Sequence, residues 1–344
     1  MISKVLDESD VGRFKNLLRK SERIVLTCHV RPDGDAVGST LGFYHVLKSL
    51  GKDVYVITPD MPPRSLSFLP GFRSLVPYTK YGDYAERLLS GADLLICCDF
   101  NKLSRLDAFS EVIGRSVCKK VLVDHHQFPD YFADITFSFP SMSSTCELVF
   151  RIIAALGYAD VMDKDAAECI MAGIITDTRN LSVNCADPEL YLIMYELDSK
   201  GVDKSEIVRE ALEIKSEDSF RLHAYTMSDK LQLIKEHEAA IITLNREELE
   251  RFNYERGDSE GFVNDPLCIR GITSSYFLRE DPDCIKVSAR SVNNFPVSKV
   301  CEDLFNGGGH IQAAGGEFKG TLAECEALLK SSLCNYDEYI VKSK

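Results

Sequence analysis

Four short apolar runs set the terms for the first half of the chain: Arg23–Val30 (RIVLTCHV), Asp53–Thr58 (DVYVIT), Leu94–Asp99 (LLICCD) and Val121–Asp124 (VLVD). Each is rich in Val, Ile and Leu and bounded by polar residues or glycine, the pattern of a strand covered on both faces. Between them Ala36–Leu50, Gly82–Ser90 and Ser143–Leu156 carry apolar residues at helical spacing. Strands alternating with helices predict a mainly parallel α/β sheet, and ligands of such sheets sit outside the strands' carboxyl ends. Three of the four runs contain or lead directly into histidine or aspartate at that end.

Residues 187–229 turn helical and polar, with no strand candidate. Beyond them Leu231–Ile234, Ala239–Leu244, Ile269–Leu278 and Cys284–Arg290 read as strands, interspersed with helices at Arg246–Asn253, Val297–Phe305 and Leu322–Leu333. The expected layout is an α/β domain at 1–186, a helical linker at 187–229 and a smaller α/β domain at 230–344. A length of 344 residues suits two domains, each with a core of its own.

Charge narrows the partners. There are 53 acidic against 40 basic side chains, a formal net charge of −13, and both halves are acidic when the chain is divided at residue 225. A protein that grips long duplex nucleic acid presents a basic stripe or arm, and this sequence has none. Any nucleic-acid partner is therefore expected to be short or held by a local site. No apolar run approaches the ~20 residues of a membrane span, and the N-terminus lacks the apolar core of a signal peptide. The 12 cysteines form no CxxC pair and read as reduced, buried small hydrophobes. A cytoplasmic protein with no membrane partner is expected.

The densest chemistry lies in His29-Val30-Arg31-Pro32-Asp33-Gly34-Asp35-Ala36-Val37-Gly38-Ser39, which follows one strand and opens a helix. Pro32 and Gly34 tighten the turn, so Asp33 and Asp35 can face different ions. A surface turn with helix-capping aspartates is the alternative reading of an isolated DGD. Asp99 closes a strand, as a cap or as a ligand. Asp124-His125-His126 closes another, and adjacent histidines point in different directions, so one of the two is the expected ligand. Asp177 follows the helical stretch Lys164–Met171. Together His29, Asp33, Asp35, Asp99, His125 and Asp177 are expected at corresponding loop positions of one sheet. Oxygen donors with a minority of imidazole suit Mn²⁺ or Mg²⁺ better than a zinc–thiolate site. Converging carboxylates repel unless cations offset them, and two divalent ions would do so.

The order HxRPDGDAxGS, strand-terminal Asp, DHH, then GIxTDT is similar to the DHH phosphoesterase superfamily. Val287-Ser288-Ala289-Arg290-Ser291 and Gly307-Gly308-Gly309-His310 resemble its DHHA1 partner domain. The layout, with Ser143-Ser144-Thr145-Cys146-Glu147-Leu148, looks most like the stand-alone nanoRNase and pAp phosphatase (NrnA-like) branch. The resemblance spans nearly the whole chain and implies an active site in the cleft between a DHH and a DHHA1 domain. It implies one metal on His29, Asp33 and Asp99, and a second on Asp35, Asp99, His125 and Asp177, with Asp99 bridging. Asp124 would orient a histidine or a water, and His126 would face the scissile phosphate, making Asp99, Asp124 and His126 the candidate catalytic residues. Arg105, His126, Arg290, Gly308, Gly309 and His310 are the candidate substrate contacts. Where relatives continue TDT with glycine and an aromatic, this chain has Arg179-Asn180-Leu181, which leaves the local substrate contacts open.

The function implied is two-metal hydroxide attack on short oligoribonucleotides and 3′-phosphoadenosine 5′-phosphate, with two Mn²⁺ per subunit and Co²⁺ or Mg²⁺ as alternatives. A cyclic di-AMP or linear dinucleotide phosphodiesterase comes next, ahead of a RecJ-like exonuclease or an inorganic pyrophosphatase. A nucleotide-binding regulator with a lapsed centre is the reading from another class. A homodimer is compatible with all of these.

Overall fold

Strand residues Leu94–Cys98 lie inside a six-stranded sheet, and all five are buried. Their side chains alternate between two cores: Leu94, Ile96 and Cys98 face one layer of helices, Leu95 and Cys97 the other. A continuous apolar run requires this, because its period-two side chains need cover on both faces. The computed structural model describes residues 5–255 and 257–340. They form two units that divide between Ile214 and Lys215.

In the first unit the strands are β1 (Arg23–Thr27), β2 (Asp53–Thr58), β3 (Val76–Pro77), β4 (Leu94–Cys98), β5 (Lys119–Asp124) and β6 (Ile135–Ser138). Their order is β3-β2-β1-β4-β5-β6, and every neighbouring pair is parallel. The order reverses between β1 and β4, and the crevice beyond the carboxyl ends at such a switch point is where open α/β sheets bind ligands. Helices α1 (Glu8–Lys20) and α2 (Gly34–Ser49) cover one face, through Phe14, Val37 and Leu41. Helices α3 (Tyr78–Ser90) and α4 (Phe109–Arg115) cover the other, through Leu89, Phe109 and Ile113. The sequence reading runs the first strand to Val30, but β1 stops at Thr27. The Val30 N–H leaves the ladder and donates to the Arg105 carbonyl at 2.8 Å.

Two more helices, α5 (Thr145–Leu156) and α6 (Lys164–Asp177), join the layer that contains α2. Gly34, Gly38 and Gly42 recur every four residues and so lie on one face of α2, the face against α6. A Cβ at Gly38 would stand 2.5 Å from the Cys169 carbonyl oxygen, and one at Gly173 of α6 would stand 2.2 Å from Cys146 Sγ. Small residues let the helices approach this closely, and the approach brings the first turn of α2 beside the last turn of α6. Asp177 is therefore carried in on a helix, not on a loop of the sheet as the sequence reading has it.

Residues 187–229 are helical throughout their ordered elements and contribute to both cores. Leu190, Ile193 and Leu197 of α7 (Glu189–Asp198) and Ile207 of α8 (Lys204–Val208) are buried in the first unit, and Leu222 of α9 (Glu217–Tyr225) in the second. The second unit adds β7 (Leu231–Ile234), β8 (Ala239–Leu244), β9 (Ser274–Glu280), β10 (Ile285–Ser291), β11 (Gly308–His310) and β12 (Ala313–Phe318), in the order β11-β12-β10-β9-β8-β7. Only β8 and β9 pair in parallel. Helices α10 (Arg246–Arg251), α11 (Val297–Phe305) and α12 (Leu322–Ser332) complete it. The strand expected at Ile269–Leu278 begins only at Ser274, because a 3-10 turn at Asp265–Cys268 ends on Ile269 and Gly271 then takes a left-handed φ of 86°. Among the described residues no helix is long and apolar enough to cross a membrane.

Candidate metal centre

Immediately past β4, Asp99 adopts a left-handed φ of 64°, a conformation its short polar side chain tolerates better than most. Its N–H donates to the Val123 carbonyl at 3.0 Å, which fixes it against β5. The two carboxylate oxygens then face different ways. Oδ2 lies 3.4 Å from His29 Nε2. Oδ1 lies 3.8 Å from His125 Nε2 and 3.7 Å from His126 Nδ1, and accepts the Thr145 hydroxyl at 2.9 Å.

On the Oδ2 side stand His29 and Asp33. His29 donates from Nδ1 to the Val30 carbonyl at 2.7 Å, which leaves Nε2 as the nitrogen with a free lone pair. Asp33 caps α2: its Oδ1 accepts from the Asp35 and Ala36 N–H groups, while its Oδ2 lies 3.8 Å from His29 Nε2. Capping and ligation thus fall to different oxygens of one side chain. His29, Asp33 and Asp99 offer three donor atoms within 4.8 Å of one another.

On the Oδ1 side, His125 donates from Nδ1 to the Met142 carbonyl at 3.3 Å, and its Nε2 lies 3.5 Å from Asp177 and 3.9 Å from Asp35. Asp35, His125 and Asp177 form a second set within 4.8 Å of one another. Asp35 is buried, and its oxygens accept the Thr145 and Cys146 N–H groups at 2.7 and 2.8 Å. These are unpaired donors at the start of α5, where a helix end favours negative charge.

Burial opposes charge on His29, yet Asp99 and Asp33 outweigh it and push its imidazole up to about 9. Burial opposes His125 in the same way, and Asp35, Asp99 and Asp177 push it up to about 9. Burial, reinforced by Asp99 against the pull of His125, pushes the Asp35 carboxyl up to about 7. Burial and the nearby Asp35 push Asp177 well above the carboxylate range. Asp99 moves the other way: burial disfavours its charge, but His29, His125 and His126 hold it below that range.

Asp124, fully buried at the end of β5, accepts His126 Nδ1–H on Oδ1 at 2.7 Å. Its Oδ2 is buried with no hydrogen-bond partner among the described residues. His126 also stands within 4.8 Å of Asp99 and His125, but its Nδ1 is engaged by Asp124. The donor set fits divalent cations. The His29 and His125 rings are turned Nε2-inward by their own carbonyl bonds, and burial disfavours the charged form of Asp35, Asp99 and Asp177. These are the features of a site completed by positive charge.

The other candidates lie outside this cluster. Arg105 belongs to the segment whose carbonyl holds Val30, beside the His29 loop. Arg290, Gly308, Gly309 and His310 are in the second unit. Arg290 pairs across to Ala313, and Ala313 across to His310, so the two flank a small residue on one face of three adjacent strands. The glycines form an edge strand, not a flexible loop. At Gly309 a Cβ would stand 2.5 Å from the Ala313 carbonyl oxygen, whereas at Gly308 the nearest atom is 3.8 Å away.

Thr145 and Glu147, quoted in the sequence only as part of the run Ser143–Leu148, take structural roles that the sequence reading did not assign. Thr145 binds Asp35 through its N–H and Asp99 through its hydroxyl. Glu147 accepts the Ser143 N–H and the Arg151 guanidinium, and Arg151 in turn reaches Asp187 and Glu189. The hydroxyl-rich run Ser143–Thr145 just before a helix was the available signal.

The model of the DHH family, N-terminal domain, matches residues 23–174, and that of the DHHA1 domain matches residues 238–333. The bifunctional oligoribonuclease and PAP phosphatase NrnA of Thermus thermophilus is 33% identical over 298 residues, 86% of this chain and 84% of the relative. The cyclic-di-AMP phosphodiesterase PdeA of Listeria monocytogenes is 25% identical over 336 residues, 94% of this chain but 49% of that protein. A crystal structure of an exopolyphosphatase-related protein from Bacteroides fragilis matches with a TM-score of 0.95 and 42% identity, over 98% of this chain and 99% of that one. A two-unit α/β chain with this cluster at its switch point is a phosphoester hydrolase. It belongs to the DHH/DHHA1 phosphoesterase family, with an NrnA oligoribonuclease and PAP phosphatase among its relatives.

Proposed function

We propose that the chain hydrolyses short oligoribonucleotides and 3′-phosphoadenosine 5′-phosphate at a centre of two Mn²⁺ ions. The observation that carries the reading is the division of Asp99, whose Oδ2 serves the set of His29 and Asp33 and whose Oδ1 serves the set of Asp35, His125 and Asp177. One ion would be held by His29, Asp33 and Asp99, the other by Asp35, Asp99, His125 and Asp177. When bound, such a pair lowers the pKa of a water and offsets charge on phosphate oxygens. Thr145 holds Asp99 and Asp35 in register before any ion arrives. Asp124 fixes the His126 ring through Nδ1, so that Nε2 is the atom left to meet the scissile phosphate. Arg105, beside the His29 loop, is the candidate cation for a substrate oxygen. In the DHHA1 unit, Arg290 and His310 on either side of Ala313 make a seat for a second phosphate, with Gly308 two residues before His310 on the edge strand.

The Listeria relative supports a second reading, hydrolysis of cyclic di-AMP or a linear dinucleotide. A rate panel in Mn²⁺ separates the two, using RNA from dimers to long strands, 3′-phosphoadenosine 5′-phosphate, cyclic di-AMP and pyrophosphate. The first reading predicts the highest kcat/KM on the shortest RNA and on 3′-phosphoadenosine 5′-phosphate. Faster turnover of cyclic di-AMP would install the second reading, and faster turnover of pyrophosphate would overturn both.

A further inference from the structure

Two aromatic rings stand in water on the loop that leaves the Asp124-His125-His126 corner. Phe128 is 79% exposed and Tyr131 is fully exposed. Such exposure forgoes the burial that large rings ordinarily gain. Phe128 also takes a left-handed φ of 59°, which is strained for a bulky residue. Floppiness does not account for it, because the loop is tied down at three points. The Asn101 side-chain amide donates to the Gln127 carbonyl at 2.6 Å, and the Asp130 N–H donates to the Asn101 carbonyl at 2.8 Å. Phe132 stacks on the buried Phe100 with ring centroids 6.0 Å apart and planes 3° from parallel. Every tie leads to Phe100 or Asn101, the residues directly after Asp99. The loop that carries the two rings is therefore anchored to the residues that follow Asp99 in the chain, and Phe128 follows His126 by two residues.

We propose that Phe128 and Tyr131 are a stacking platform for the nucleobase of the substrate. The proposal rests on the nucleotide reading above and assigns what that reading lacks, a contact for the base. Exposed rings on a tethered loop, two and five residues beyond His126, suit a flat, sequence-tolerant partner, since every base has a π-face. A platform of this kind serves short substrates in particular, whose few phosphates give little electrostatic grip on an acidic chain.

The chain contains no tryptophan, so F128W places its single indole on the platform, and red-edge excitation reads that indole apart from the tyrosines. With Mg²⁺ present, adenosine 5′-monophosphate is expected to quench its emission saturably and ribose 5-phosphate is not. Y131A in that background is expected to weaken the nucleotide's binding about tenfold, within the range of single-ring removals. In turnover, the F128A/Y131A double variant is expected to raise KM for 3′-phosphoadenosine 5′-phosphate about tenfold or more. Its kcat/KM for the base-free ribose 3,5-bisphosphate should stay at the wild-type value, as should its melting temperature. Unchanged KM for the base-bearing substrate in the double variant overturns the platform and leaves the phosphoesterase reading standing. If the wild type hydrolyses neither substrate, the functional reading falls, and emission from F128W decides the platform by itself: silence towards the nucleotide overturns it.

Discussion

Each oxygen of Asp99 faces a different histidine, and its place depends on the Thr145 hydroxyl as much as on its own strand. T145V removes that hydroxyl while keeping the shape. The expected outcome is a roughly 10–100-fold loss of Mn²⁺ affinity, the usual effect of removing a group that orients a ligand, with T145S restoring it; a Mn²⁺ titration of the three proteins checks this. Protons compete for the same atoms. His29 and His125 titrate at about 9 without metal and Asp35 at about 7. Cations bind the deprotonated forms, so apparent affinity should rise with pH most steeply below about 7, more gently from about 7 to about 9, and level off above. Proton uptake or release is read directly by calorimetry in buffers of different ionisation enthalpy, and release on Mn²⁺ addition should be largest below the window and vanish above it. At this scale the sequence was legible for the residue types but not for which atom does what. Asp33 was readable as a cap or as a ligand, and it does the first with Oδ1 while Oδ2 faces His29. Thr145 was not legible because its partners lie 110 and 46 residues away.

Among the elements, α2 and α6 approach closely, and glycine makes the approach. G38A drives a methyl into the Cys169 carbonyl, a backbone atom that cannot swing aside. A loss of roughly 1–3 kcal/mol is expected from overpacking, read by denaturant unfolding, with weakened Mn²⁺ binding as Asp35 and Asp177 move apart. The helix layer also depends on Arg151, whose side chain is buried between Glu147, Asp187 and Glu189. R151A leaves Glu147 buried without a counter-charge and should cost roughly 3–5 kcal/mol. Replacing both, as R151M/E147L, should cost much less, and equal losses would contradict the account. Core strands were the most legible elements, because β1, β2, β4 and β5 must be apolar on both faces. Edge strands β3 and β6 were not: β3 is two residues long, and β6 has one solvent-exposed position among its four. Helix α1 escaped notice because only Phe14 and Leu18 of its 13 residues are buried. The glycine repeat in α2 and the helical stretch at Lys164–Met171 were both visible in the sequence, but that the two pack together was not.

For the whole molecule, a net charge of −13 supplies no excess of cations with which to grip the phosphates of a long duplex. Long duplex DNA added in excess should therefore leave the hydrolysis of an RNA dimer unchanged, and competitive inhibition would contradict this. The same acidity is partly the centre itself, since Asp33, Asp35, Asp99 and Asp177 converge where cations would offset them. That convergence is the core of the account, and counting bound Mn²⁺ per chain tests it most directly. Equilibrium dialysis at pH 8 followed by elemental analysis should give two ions per chain for the wild type. D99A should lower the affinity of both, because each set shares that residue, while D177A should weaken one and leave the other. One ion in the wild type, or two ions undisturbed by D99A, would contradict it.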